Sequence, residues 1–203
     1  PITNLRKLVM GSAQPARLPI PYIFNIISKH SIIPGMAKGT FVRFERQDLL
    51  NSLLLAKEFL DRGVHSAAVV GTGLKCLPLA LAMAGVRVVF IDQDEQVVAE
   101  MRYAHKFFER ESGGQVDLRA IAGEFGALDI VALGLEGRSF DAVTMVDLLG
   151  AELLGNPAQW FANTRRLVKK NGLILMHERD EADRKSVKKE FSRCFPEAVQ
   201  ATT

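Results

Sequence analysis

Apolar residues change their period along this chain, and the changes mark out its elements. Leu49, Leu50, Leu53, Leu54 and Leu60 recur at helical spacing before the stop at Gly63, which predicts a helix from about Glu45. Short apolar runs then alternate with helical stretches. Ala67-Ala68-Val69-Val70, Arg87-Val88-Val89-Phe90-Ile91, Asp117 to Ala122, Asp141 to Val146 and Leu173-Ile174-Leu175-Met176 read as strands. The segments from Leu77 to Ala84 and from about Glu95 to Arg110 read as helices; Pro78 sits in a first turn, where its missing N–H does no harm. A further helix opens with Asn156 as N-cap and Pro157 at the first position. It runs through Trp160, Phe161, Leu167 and Val168 to a stop at Asn171-Gly172. A charged helix from about Ala182 to Phe195 closes the pattern. Residues 1–44 hold Pro15, Pro19, Pro21 and Pro34 and keep no sustained period, so they read as an irregular, partly helical lead-in.

Near-continuous apolar strands separated by helices are what a parallel sheet covered on both faces requires. The expected fold is therefore α/β, a doubly wound and mostly parallel sheet formed by residues 45–203. Ligands of such folds bind beyond the carboxyl ends of the strands, so the residues just after each strand carry the functional argument. Composition agrees: 203 residues with 48% hydrophobic and 24% charged can bury one core without a disulfide or metal staple. Cys76 and Cys194 show neither CxxC nor Cys/His ligand spacing, which suits a reducing cytoplasm and argues for no metal. A balance of 26 basic against 23 acidic residues leaves +3, too little to argue for nucleic acid. The apolar stretch from Ile20 to Ile33 is broken by Pro21, Asn25, Lys29 and His30, so no membrane span is expected.

The chemistry concentrates after the first two strands of the sheet. Gly71-Thr72-Gly73 falls between a strand and a helix N-terminus, where glycine permits close backbone approach and unpaired N–H groups favour polar ligands. Asp92 ends the next strand roughly twenty residues on, the spacing at which a carboxylate receives ribose hydroxyls. A glycine turn with such an acid defines a nucleoside-type pocket, and it fits more than one cofactor. Gly71 through Ala80 locally resembles the dinucleotide loop of NAD-dependent sugar-nucleotide dehydrogenases, with Cys76 at their third glycine. Too few residues follow Pro78 for the substrate domain of those enzymes.

The downstream half resembles class I S-adenosylmethionine-dependent methyltransferases. Ser139-Phe140-Asp141-Ala142-Val143 is similar to the "FDxV" entry to their fourth strand. Arg165-Arg166-Leu167-Val168-Lys169-Lys170-Asn171-Gly172-Leu173 is similar to their "LrrlLkpGG" segment, and Ala122-Gly123-Glu124 to the "GD" after their third strand. The resemblance implies a Rossmann-like methyltransferase fold and S-adenosylmethionine as cofactor. Backbone around Gly71, Thr72 and Gly73 would approach its methionine part. Asp92 would hold the ribose and Gln93 the adenine edge. Glu124, between Gly123 and Phe125, would accept from the adenine amino group, and Asp147 would lie near the sulfonium or the acceptor. His177, directly after the fifth strand, is the candidate general base, because it titrates near neutral pH and leaves the sheet at the crevice edge.

Three departures from the family pattern keep alternatives open. Val69 stands at the usual acidic position before the first glycine, and Lys75 stands at a third glycine. A sixth and seventh strand have little room after the last helix, so the hairpin is expected to be truncated or the sheet edge to be covered by a homo-oligomer. The favoured function is methyl transfer to a small molecule. The alternatives are a non-catalytic scaffold, an aminocarboxypropyl transferase like nicotianamine synthase, and an NAD-binding oxidoreductase domain. Two further features take bland readings: Arg184 to Arg193 as a solvated helix face, and Gly39 to Phe44 as core packing rather than a lid.

Overall fold

The computed structural model describes residues 17–34, 41–71, 75–114, 116–135, 140–146, 157–177 and 181–196. In chain order the elements are α1 (Ile20–Lys29), β1 (Ile32–Pro34), β2 (Phe41–Arg43), α2 (Arg46–Asp61), β3 (Ser66–Val70), α3 (Leu77–Met83), β4 (Arg87–Asp92) and α4 (Glu95–Ser112). They continue with β5 (Leu118–Ala122), β6 (Phe140–Val146), α5 (Pro157–Leu167), β7 (Val168–His177) and α6 (Glu181–Cys194).

Among the described residues the main sheet has five strands in the order β5-β4-β3-β6-β7. β6 pairs parallel with β3, Ala67 opposite Ala142 and Val70 opposite Met145. β7 pairs parallel with β6, Val143 opposite Ile174 and Val146 opposite His177. The strands β3, β4 and β5 grow to one side and β6 and β7 to the other, so the order reverses between β3 and β6. This is the doubly wound α/β topology expected from the sequence, and its ligand crevice belongs at that reversal.

By internal contacts the chain forms two compact units. One contains residues 1–65, 74–88 and 99–119, and its helices bury faces set by their own periodicity. Ile23 and Ile27 of α1 are fully buried, and α2 buries Leu49, Leu53, Ala56 and Phe59. Leu50 and Leu54 of the same leucine series lie on the opposite face and are exposed, 37% and 69%. Pro19 and Pro21 do not break the lead-in; they start α1, where a missing N–H costs nothing. The antiparallel pair β1–β2, with Ile33 opposite Val42, was not signalled by any period and depends on pairing across residues 35–40. Phe44 is buried against Phe108, ring centroids 5.6 Å apart.

The other unit contains residues 66–73, 89–98 and 120–203. Val70, Ile91, Ile121, Val143 and Met145 from four strands form one core cluster with Trp160, Phe161 and Phe195. At the amino ends of the strands, Ser66 and Asp141 lock β3 to β6. The Ser66 hydroxyl donates to Asp141 Oδ2 at 2.9 Å and accepts the Asp141 N–H at 3.1 Å. Lys169 closes the group with a 2.6 Å ion pair to Asp141 Oδ1.

The helix expected to run to Asn171-Gly172 ends earlier, at Leu167. Val168 is already opposite Phe140 in the sheet, and the register slips so that Ala142 faces Leu173. Asn171 takes up the extra residues with φ 66, a conformation asparagine tolerates because its short polar side chain can bond locally. The Asn-Gly pair is therefore a bulge inside β7 rather than a helix cap.

Candidate functional site

The carboxyl ends of β3, β4 and β5 meet at a cavity of about 220 Å³. Whole-ligand pockets usually hold about 300–1,000 Å³, so the described residues enclose room for one part of a ligand. Val70 and Gly71 bring the end of β3 into the wall, and Ile91, Asp92 and Gln93 the end of β4. Asp94 and Val97 contribute from the start of α4, Gly123 and Phe125 from beyond β5, and Trp160 from α5.

Backbone bonds hold the three strand ends in register. Gly71 leaves β3 with φ 77, a left-handed turn that a side chain would strain, and its N–H donates to Ile91 O at 2.7 Å. Gly123, with φ 152, donates to Asp92 O at 2.8 Å. Asp92 itself is 8% exposed. Its Oδ1 accepts the Asp94 N–H at 2.8 Å, which fixes the carboxylate in the cavity wall. Asp94 caps α4, its Oδ1 accepting from Gln96 N at 2.8 Å and more loosely from Val97 N at 3.4 Å.

The loop after β5 is set by α5. Asn163, fully buried, donates from Nδ2 to Phe125 O at 2.7 Å and Leu128 O at 3.3 Å. Phe125 is 2% exposed and meets the Trp160 ring edge-on, centroids 5.1 Å apart. Gly126 lies close to the indole, where an added Cβ would stand 2.6 Å from its Cδ1. The cavity thus combines apolar walls from Ile91, Val97, Phe125 and Trp160 with one buried carboxylate, the chemistry a nucleoside needs for its base and its sugar.

Of the residues singled out in the sequence, Gly71, Asp92, Gln93, Gly123 and Phe125 come together in this wall. Glu124 sits between two lining residues and is exposed. Thr72, Gly73 and Asp147 lie outside the described residues. His177 is the last residue of β7, opposite Val146 at the carboxyl end of β6. Trp160, Val97, Asp94 and Asn163 were missed as site residues. Only Asp94 carried a local signal, an acid one position before a helix start.

Other titratable residues have structural partners. His30 meets Glu111 at 3.1 Å, His65 Nδ1 meets Arg17 at 2.7 Å, and His105 Nε2 meets Val116 O at 2.6 Å. Cys76, at the start of α3, gives its N–H to Asp48 Oδ2 at 3.1 Å. Burial, with the Asp48 charge and hydrogen bond added, pushes the Cys76 thiol far above the ordinary thiol range, so it stays protonated and unreactive. Asp48 is also raised, by burial first, although bonds from Cys76 and Ser52 pull the other way. Among the described residues no group of three or more His, Cys, Asp or Glu could hold a metal ion. No described helix is long and apolar enough to cross a membrane.

The strand order, with the glycine turn and a carboxylate at the end of β4, defines a Rossmann-like α/β domain. The methyltransferase domain family matches residues 70–174, more than half of the chain, and the chain belongs to that family. Methyl transfer from S-adenosylmethionine is the chemistry the family implies, as expected from the sequence. No curated protein matches the chain.

Solved structures of similar fold include the PH0226 protein of Pyrococcus horikoshii OT3, with TM-score 0.54 and 18% identity over 78% of this chain and 66% of the other. A Staphylococcus aureus protein assigned as a caffeoyl-CoA O-methyltransferase gives TM-score 0.51 and 15% identity, covering 93% of this chain and 83% of its own. A Pyrococcus horikoshii protein assigned as an RNA methyltransferase gives 0.55 and 12%, covering 88% and 82%. At these identities the likeness shows the fold.

Proposed function

We propose that this protein binds S-adenosylmethionine with its adenosine part in the cavity, and transfers the methyl group to a small molecule. The observation that carries the reading is Asp92, a buried carboxylate at the end of β4, held by the Asp94 N–H beside the Gly71 turn. An anchored acceptor in an apolar wall pairs two ribose hydroxyls without paying to order itself. Ile91, Val97 and Phe125 offer the flat apolar surface a base requires, and the Gly71 turn leaves room for the chain leading from the ribose.

S-Adenosylmethionine, when bound, supplies a methyl group already activated on a sulfonium. The residues of this chain then have to align the acceptor and exclude water. His177, at the carboxyl end of β7, is the group we propose to take a proton from the acceptor where one must be lost. Asp147, just beyond β6, is proposed to orient that acceptor. The assigned acceptors of two fold neighbours differ in class, a CoA ester and an RNA, so fold does not choose between them. A net charge of only +3 supplies little electrostatic argument for a polyanionic acceptor, which leaves the small molecule as the proposed one. Two free cysteines suit the cytoplasm.

Calorimetry with S-adenosylhomocysteine and NAD tests the cofactor. Saturable binding of the sulfur compound is expected. Trp160, the single tryptophan, should report it by a change in emission. Asp92→Ala should weaken binding by about 1–3 kcal/mol, the cost of stranded hydroxyls. Selective NAD binding, or an unchanged affinity in Asp92→Ala, would overturn the assignment. One observation favours a second reading: Val69, buried in β3 opposite Thr144, puts an apolar side chain where the family usually has an acid. Tight binding without turnover of any acceptor in a metabolite screen would support a non-catalytic domain.

A further inference from the structure

The first turn of α2 carries an acid that the methyl-transfer reading leaves unused. Asp48 is half-buried, next to the buried Leu49. Its Oδ1 accepts the hydroxyl of the fully buried Ser52 at 3.2 Å, and its Oδ2 accepts the Cys76 N–H at 3.1 Å. The Cys76 thiol donates to the same carboxylate, and the charge of the exposed Lys75 acts on it as well. Taking a carboxylate out of water costs free energy that an apolar residue would not, so packing α2 against α3 does not by itself call for one. Its donors show what it holds. Cys76 stands at the start of α3, and its own side chain does not cap that helix. Asp48 supplies from another element the acceptor that this N–H needs.

The place of this anchor in the chain gives it a consequence. Gly71 and Cys76 bound the segment 72–75, which carries the rest of the glycine turn. Its first end is fixed where the Gly71 N–H donates to Ile91 O at 2.7 Å, in a left-handed turn with φ 77. Its second end is fixed where Cys76 meets Asp48. Val69, at the position of the family's usual acid, is apolar and buried in β3, so it can brace nothing polar in that segment. A segment tethered at both ends has fewer conformations to lose when a ligand orders it.

We propose that Asp48 is a positioning residue for the cofactor's amino-acid part, acting through the Cys76 N–H to hold residues 72–75 ready for it. The proposal rests on the reading of the protein as an S-adenosylmethionine enzyme whose glycine turn approaches the methionine part. Asp48 itself touches no ligand. The nucleoside cavity is walled by other residues, Asp92 and Gly123 among them. Loss of Asp48 is therefore felt by the amino-acid part and not by the nucleoside, which separates positioning from a general loss of structure.

The experiment compares S-adenosylhomocysteine with 5′-methylthioadenosine, which keeps the nucleoside and the sulfur but lacks the amino-acid part, by calorimetry on the wild type and on variants. The wild type should bind S-adenosylhomocysteine the more tightly. Asp48→Ala should bind S-adenosylhomocysteine about tenfold more weakly and methylthioadenosine with unchanged affinity. Asp48→Asn keeps an oxygen acceptor for the Cys76 N–H and should restore most of the lost affinity. An Asp48→Ala that weakens both compounds alike, or neither, would overturn the proposal, as would a wild type that binds the two equally. If Asp48→Ala does not fold, Ser52→Ala carries the test, since it removes only the hydroxyl that braces Oδ1. It should weaken S-adenosylhomocysteine about threefold and spare methylthioadenosine, and equal effects on the two would refute the anchor. A wild type that binds neither compound instead brings down the nucleoside-site reading, and this proposal with it.

Discussion

Replacing Gly126 by alanine adds one methyl group to the tightest contact at the site. The new Cβ would lie 2.6 Å from Cδ1 and Nε1 of Trp160, inside any real carbon contact. These atoms belong to a rigid ring that is 4% exposed and braced by Phe125, so they cannot swing aside like the tip of a flexible chain. The loop cannot retreat freely either, since Asn163 holds it on both sides of Gly126. Overpacking of this kind costs about 1–3 kcal/mol. Gly126 has no left-handed backbone, so alanine also narrows the unfolded ensemble and returns about 0.4–1 kcal/mol. The net expectation is a loss of about 1–2 kcal/mol, read from the urea midpoint at unchanged slope. In a chain of this size that lowers Tm by about 2–8 °C. Gly114→Ala is the control, because nothing lies within 4 Å of its Cβ position and its backbone is not left-handed; it should gain about 0.4–1 kcal/mol. Adding Trp160→Phe to Gly126→Ala should recover part of the loss, since contacting residues couple. Equal behaviour of the two alanine variants, or a stabilised Gly126→Ala, would refute the packing argument.

Two further outcomes follow from buried polar groups. Asn163→Ala strands the carbonyls of Phe125 and Leu128 and leaves a void, so stability should fall by about 2–4 kcal/mol. A loss under about 0.5 kcal/mol in a urea titration would show that the clamp is idle. Asp48→Asn concerns pH. Burial holds the Asp48 carboxyl above its ordinary value of 3.8 in the folded chain, so its contribution to stability is full below that value and is lost as pH rises through the folded pKa. The asparagine variant should therefore melt no lower than the wild type at pH 8 and lose its relative advantage towards pH 3. A variant that is markedly less stable at pH 8 would show that the bonds to Cys76 and Ser52 outweigh the cost of burial.

The elements of this protein are legible in its sequence because each depends on neighbours along one short segment. Five apolar runs became β3 to β7, and Gly71, Asp92 and Gly123 came to their carboxyl ends as strand-end residues must in a doubly wound sheet. The Phe140-Asp141 signal even has a visible cause, since Asp141 ties β6 to Ser66 of β3 and Lys169 of β7. Periodicity fails where the deciding partner is remote. Leu50 and Leu54 share the spacing of Leu49 and Leu53 yet face outward, since a helix repeats its pattern on every side and only packing selects the buried one. Val168 left its helix because Phe140 offered it a strand, and Asn171 absorbed the difference. Trp160, Gly126 and Asn163 looked like ordinary helix and loop residues for the same reason. Asn163 acts on carbonyls 35 and 38 positions away, and Trp160 meets Phe125 only once α5 lies beside the loop. Local pattern determined which residues end strands; contact across distant segments decided which of them share a wall.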